Sequence, residues 1–237
     1  MKFEKNTTFN LPVLVTRGLV LFPNQTENIY CERSFSVSAV SISKETYESY
    51  ILVISQKNSE MDQVKNIDEI YKVGVLCHIE QINPIKRGFR IKVTCLERVM
   101  ISNFLYLNDT IYCDANLFED VEGDLTEEQT LVKNLFKTLE SLDATLVFEN
   151  GSKEVLSKFS SGMSAKNISY LLSSSIQAYP EEKQELLEAK NINERLLKLI
   201  VLCDKLVKNV QLEKKIQDEK VFNSFECSSC NLCSRFM

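Results

Sequence analysis

The apolar residues of this chain change their spacing once, and the change falls at one acidic stretch, Glu119-Asp120-Val121-Glu122-Gly123-Asp124. Before it they recur at every second position or in short unbroken runs. After it they recur every third or fourth position. The first spacing belongs to strands and the second to helices. The chain therefore reads as α+β: a β-rich N-terminal part, then an α-helical part, with the acidic stretch as the boundary.

In the first part, Leu11 to Val15 is apolar, and Pro12 limits it to a strand start or an edge. Leu19-Val20-Leu21-Phe22 predicts a further strand, stopped by Pro23-Asn24. Ile51 to Ile54 is an unbroken run of buried-strand type. Val73, Val75, Cys77 and Ile79 alternate, as do Ile91, Val93 and Cys95; Asn83-Pro84 and Arg87-Gly88 between them predict a hairpin with a longer loop. Ile111, Cys113, Ala115 and Leu117 give a last strand. Ser34 is placed to cap a short helix through Val40. Short strands with local connections imply a sheet curling towards a barrel.

In the second part, Thr126-Glu127-Glu128-Gln129 has capping-box spacing, and Leu131, Val132, Leu135, Phe136 and Leu139 form an apolar helical face. Further helices are expected over 153–159, 164–178 and 180–189, the last with Pro180 in its first turn. Asn191-Ile192-Asn193-Glu194 can cap the longest helix. There Leu196, Ile200, Cys203, Val207 and Val210 follow 4-3-4-3 spacing, widened by Leu199, Leu202 and Leu206. A face this broad suits a helical bundle better than a two-stranded coiled coil. Lys214 and Gln217 then occupy the seam, so the helix is expected to project. The expected organisation is a β-rich, barrel-like subdomain over 1–120, an α-helical subdomain over 121–220 ending in a long helix, and a Cys-rich tail over 221–237 without order.

A chain of 237 residues can bury a core without metal or disulfide staples. No run approaches the ~20 apolar residues of a membrane span, and the start lacks the apolar region of a secretory signal. The 28 Lys and Arg are interspersed with 33 Asp and Glu, net −5, leaving no basic stripe for nucleic acid. Of eight cysteines, Cys31, Cys77, Cys95, Cys113 and Cys203 stand singly in apolar surroundings, unlike a secreted disulfide framework. The expectation is a cytoplasmic protein with neither nucleic acid nor membrane as partner.

Catalytic equipment is sparse. No Gly-x4-Gly-Lys-Ser/Thr cradle for phosphates occurs. The only histidine, His78, falls in mid-strand with no nucleophile elbow to serve. His78-Ile79-Glu80 matches half of a zinc-deaminase pattern, with Cys227-Ser228-Ser229-Cys230 as the other half, but Glu226 stands where that pattern has Pro. Cys227, Cys230 and Cys233 offer three thiolates where structural zinc takes four ligands, and no histidine is near. No catalytic residue, metal site or cofactor is expected in this chain; a small zinc or thiol enzyme is the alternative.

Several motifs, in order, carry a resemblance. Leu11-Pro12-Val13-Leu14-Val15-Thr16-Arg17-Gly18-Leu19-Val20-Leu21-Phe22-Pro23 resembles the opening of the N-terminal domain of Lon, the ATP-dependent AAA+ protease, with Val15-Thr16 where that family has Pro-Leu. Arg33-x-x-Ser36 is similar to its Gly-Arg-x-x-Ser helix start, with Glu32 replacing Gly. Tyr71-Lys72-Val73-Gly74 with Ile79-x-Gln81, and Val93 to Arg98 with Cys95 in place of a usual Gly, resemble two of its strands. Lys183 to Glu188, then Asn193-Glu194-Arg195-Leu196 and Leu212 to Ile216, resemble its helical signature. The match runs over roughly residues 10 to 216; Phe222 to Met237 lies outside it.

The resemblance implies a truncated N-terminal, non-catalytic piece of a Lon-type serine protease. It would engage unfolded or damaged polypeptides in protein quality control and support assembly with other Lon protomers into a homohexamer. ATP, Mg and the Ser-Lys dyad would belong to the full-length parent. Phe22 and Pro23, in a loop closing a first hairpin, and Arg33, at a helix start, are the candidate polypeptide contacts. The alternative for the same residues is that Phe22 is core and Arg33 makes only local hydrogen bonds. A purely structural oligomerisation module is the competing function.

Overall fold

The computed structural model describes residues 2–121, 123–141 and 163–229. Six strands, β1 (Phe9–Thr16), β2 (Thr26–Cys31), β3 (Tyr50–Ser55), β4 (Val73–Ile85), β5 (Gly88–Leu107) and β6 (Thr110–Leu117), form a single sheet. Helix α1 (Ser34–Thr46) lies between β2 and β3 in sequence. After β6 come α2 (Leu125–Ser141), α3 (Ala165–Ser175), α4 (Pro180–Leu187) and α5 (Ile192–Ser229). The helix expected over 153–159 lies outside the described residues.

The strand order is β2-β5-β4-β3-β1-β6, with β5 also pairing β6. β5 makes this possible through its 20 residues. Its first part pairs with β2, and its last part, from Val99 to Leu107, pairs with β6. The ring β5-β4-β3-β1-β6 is thus closed at one end, while β2 hangs from β5 at the other. Register shifts at Leu76/Cys77, Ile79/Gln81 and Ser102/Phe104 supply the bending that closure requires.

Pro12 sits inside an interior strand. Phe9 to Pro12 pair with β6 and Val13 to Thr16 pair with β3, so the residue without an N–H stands where one ladder hands over to the other. β1 consequently forms no hairpin with the chain that follows it. Leu19 to Phe22 is not a strand but a buried loop, with Phe22 fully inaccessible. Its side chains join one core cluster with Leu135, Ile168 and Leu199 of the helical part, and burial of that kind requires no ladder. The β4–β5 hairpin is tighter than expected: both strands run to the tip, leaving only Lys86 and Arg87 between them. Pro84 is tolerated there because β3 pairs with β4 only from Val75 to His78. Gly88 is required: its φ is +109°, and a Cβ would lie 2.0 Å from the Cys31 carbonyl oxygen.

Two helix starts differ from the expected caps. α1 begins at Ser34 itself, with Arg33 as an N-cap whose side chain makes no capping bond. For α2, Asp124 replaces Thr126: its Oδ1 accepts the Glu127 N–H at 2.8 Å and its carbonyl the Glu128 N–H at 2.9 Å. A carboxylate also complements the positive end of the helix. Ser164 caps α3, and Asn191 caps α5 as expected.

The two parts share the core cluster and one polar junction. Arg98 on β5 and Arg195 on α5 are both buried and both donate to Asp120 Oδ1, Arg98 at 2.9 Å. Arg98 also donates to the carbonyls of Leu187 and Ala189, each at 2.6 Å. Arg195 donates to Leu186 O and Ser169 Oγ, and the Tyr170 hydroxyl donates to Asp120 Oδ2 at 3.2 Å. Burial and the adjacent Arg195 pull the Arg98 guanidinium below its ordinary pKa, opposed by Tyr170 and Asp120. Gln184 on α4 adds a bond from Nε2 to the Val73 carbonyl at 2.9 Å.

Leu196, Leu199 and Cys203 bury one face of α5. Leu197 and Val201 lie exposed, as do Leu212 and Ile216 farther along. Helical backbone continues through Ser229, into the segment expected to lack order, and 230–237 lie outside the described residues. Among the described residues no helix is long and apolar enough to cross a membrane.

Candidate functional site

The start of α1 is held by the side chain of its own N-cap residue. Arg33 Nη1 donates to Gln56 Oε1 at 2.9 Å, Nη2 donates to the Val15 carbonyl, and the guanidinium lies 4.6 Å from the Phe35 ring centre. Gln56 is buried and in turn donates from Nε2 to the carbonyls of Asn58 and Met61, at 2.6 and 2.7 Å. One arginine thereby ties β1, α1 and the loop after β3 together. Burial, and next the charge of Arg17, pull its pKa down to about 10, with Asp62 and Cys31 acting the other way.

Arg33 separates two open clefts. The first, of about 500 Å³, lies between the C-terminal end of β1 and β2, with Leu14, Leu19, Ile29 and Tyr30 as its apolar wall and Arg17 and Glu32 at the rim. The second, of about 560 Å³, lies between α1, the 62–65 loop and the β5–β6 turn, walled by Phe35, Val64 and Tyr106. Arg17 and Asp62, one from each cleft, form an ion pair at 2.5 Å. Beside the clefts, Tyr30 is 64% exposed, and Leu105, Tyr106 and Leu107 are about half exposed. Asn108 and Asp109, both with positive φ, make the tight turn that displays those three residues.

The three residues singled out from the sequence fare differently. Phe22 and Pro23 are buried and line neither cleft, although Leu19 of the same loop does. Arg33 lines both. No sequence pattern marks Tyr30, Gln56 or Tyr106. β2 offers only Ile29 and Cys31 as inward apolar positions, too short an alternation to stand out, and Tyr106 reads as one apolar residue among several.

His78 Nδ1 lies 3.0 Å from Glu80 Oε1, and its ring packs edge-on to Tyr50. Cys31, Cys113 and Cys203 are buried thiols whose pKa burial pushes up to about 12, far from a reactive thiolate at neutral pH. Among the described residues no three His, Cys, Asp or Glu side chains gather in a group that could hold a metal. Cys230 and Cys233 lie outside those residues. The described clefts therefore offer apolar contact and hydrogen bonding, with an arginine at their junction.

Residues 10–205 match the family model of the ATP-dependent protease La (LON) substrate-binding domain. The Lon protease of Bacillus thuringiensis is 28% identical over 218 residues, 91% of this chain and 27% of that protein. That of Malacoplasma penetrans is 30% identical over 79% of this chain and 24% of that protein, and that of Ureaplasma parvum 37% identical over 46% and 14%. The chain thus spans about a quarter or less of the length of these relatives. Among solved structures, the N-terminal domain of Mycobacterium avium complex Lon protease superposes with a TM-score of 0.66 over 83% of this chain and 98% of its own, at 15% identity. A Lon N-terminal domain protein from Xanthomonas campestris gives 0.51 at 13% identity, over 81% and 98%. At those identities the likeness is one of fold. The family match itself extends over most of the sequence, and the chain belongs to the Lon substrate-binding domain family.

Proposed function

We propose that this domain engages unfolded or damaged polypeptides on behalf of an ATP-dependent Lon-type protease and breaks no bond itself. The observation that carries this reading is the pair of open clefts meeting at Arg33, with exposed Tyr30, Leu105, Tyr106 and Leu107 beside them. An unfolded chain differs from a folded one chiefly in exposed apolar segments, and apolar clefts with a hydrogen-bonding rim suit such segments without reading a sequence. Arg33 is the contact residue of this reading. Phe22 and Pro23 support it from inside, anchoring the loop that carries Leu19 and Arg17. ATP, magnesium and the peptide-cleaving dyad would be supplied elsewhere in a cytoplasmic parent, where display on a hexamer would multiply weak contacts.

The test compares binding of the domain to a permanently unfolded protein and to the folded form of that protein. Binding of the unfolded form only, weakened by Tyr106→Glu, is expected; equal, negligible binding to both would overturn the reading.

A second reading, assembly, is favoured by a separate observation: Leu212 is 58% exposed and Ile216 43%, on α5 beyond the buried face that packs on α2 and α3. Light scattering with and without residues 211–237 tests it, an unchanged mass counting against it.

A further inference from the structure

The first cleft has the chemistry of a missing strand. β2 pairs with β5 alone, so its other edge has no strand partner among the described residues. The Asn28 N–H is taken by Glu27 Oε1 at 2.9 Å rather than by β5. In an antiparallel ladder the bonded residues alternate, so Asn28 and Tyr30 both direct their backbone groups outward, along the cleft they line. Releasing Asn28 requires that the half-buried Glu27 side chain swing aside.

Charge indicates what such a strand should carry. Of the two cations on this cleft, Arg17 has its carboxylate, Asp62. Arg33 has neutral acceptors, the Val15 carbonyl and Gln56, and among the described residues no carboxylate lies within ion-pairing distance. Glu32 stands exposed at the rim without reaching it. A half-buried guanidinium with spare N–H groups is complementary to a carboxylate, and a charge-assisted bond there offsets the cost of its burial.

We propose that an extended segment of an unfolded polypeptide pairs with the free edge of β2 at Asn28–Tyr30 and places the carboxylate of an Asp or Glu side chain on Arg33. The segment's inward side chains lie against Leu14, Leu19 and Ile29, and alternate ones face solvent. The inference rests on the polypeptide-binding reading above and narrows it to an occupant: apolar, extended and acidic at one position.

The experiment uses fluorescence anisotropy with a short labelled peptide rich in Val, Ile and Tyr around one central Glu. Its partners are the Gln counterpart and a version N-methylated at alternate residues, which cannot complete a ladder. The Glu peptide is expected to bind about tenfold tighter than the Gln peptide at low salt, as a charge-assisted bond implies. N-methylation should abolish the binding, Tyr30→Glu on the exposed strand face should weaken it, and Arg33→Gln should erase the Glu-over-Gln preference. Equal binding of the Glu and Gln peptides, or indifference to N-methylation, overturns the proposal even if Arg33→Gln proves unstable. Unfolded protein bound while these peptides fail sinks this inference alone; neither bound sinks the polypeptide-binding reading with it.

Discussion

Arg98 and Arg195, one from each part of the molecule, donate to the same oxygen of Asp120. Each belongs to a different motif of the Lon resemblance, so two signatures that look independent in the sequence serve one junction. Two buried cations around one carboxylate are costly to desolvate and stay in place only while the carboxylate is there.

Asp120→Ala should therefore destabilise the whole domain by about 3–5 kcal/mol, the range for breaking a buried pair from one side. Urea unfolding followed by circular dichroism reads the change. Glu194→Ala, which removes an exposed i,i+4 pair with Lys198 as well as a bond to the Lys190 N–H, should cost far less. A comparable loss in the two variants would mean the junction is no weld.

The capping of α2 makes a sharper comparison. Asp124→Ala removes the acceptor of the Glu127 N–H and should cost about 1 kcal/mol. Thr126→Ala, at the position the sequence spacing favours, should cost a few tenths at most, since no capping bond is made there. Chemical denaturation of both variants decides which residue ends the helix.

Why the sequence misplaced that cap is of a piece with its other misses. Spacing reported the strands around Val13, Val53, Val75, Val93 and Cys113 faithfully, because each has neighbours on a buried face. It failed for Leu19 to Phe22, where burial comes from sealing the barrel against the helices rather than from pairing. Asp120 reads only as part of the acidic boundary stretch, since a carboxylate among acidic residues gives no sign that two arginines will converge on it. The clefts were legible only at Arg33. Their remaining walls come from segments brought together by the ring closure between β5 and β6, which no local pattern announces.

Gln56 holds Arg33 on one side and the carbonyls of Asn58 and Met61 on the other. Gln56→Ala should free the loop that carries Asp62 and Val64 while leaving the sheet intact. Expected are faster amide exchange over 57–65, unchanged exchange in β3 and β4, and weaker binding of unfolded protein. Exchange spreading through the sheet would show Gln56 to be a core strut.

The buried thiols set a limit at high pH. Cys31, Cys113 and Cys203 sit at about 12 in the fold against an ordinary 9.0, because burial disfavours the thiolate. The unfolded chain therefore releases these protons first. The contribution of each thiol to stability is whole below pH 9, and it shrinks as pH rises towards 12, by up to about 1.4 kcal/mol per pH unit per cysteine. Stability measured by urea should fall between about pH 9 and about pH 10.5, and the Cys203→Ala variant should fall less steeply than the parent. At about pH 8 these thiols should resist a disulfide reagent until denaturant is added. Rapid modification of the native domain at Cys31, Cys113 or Cys203, mapped by mass spectrometry, would contradict the burial on which the argument stands.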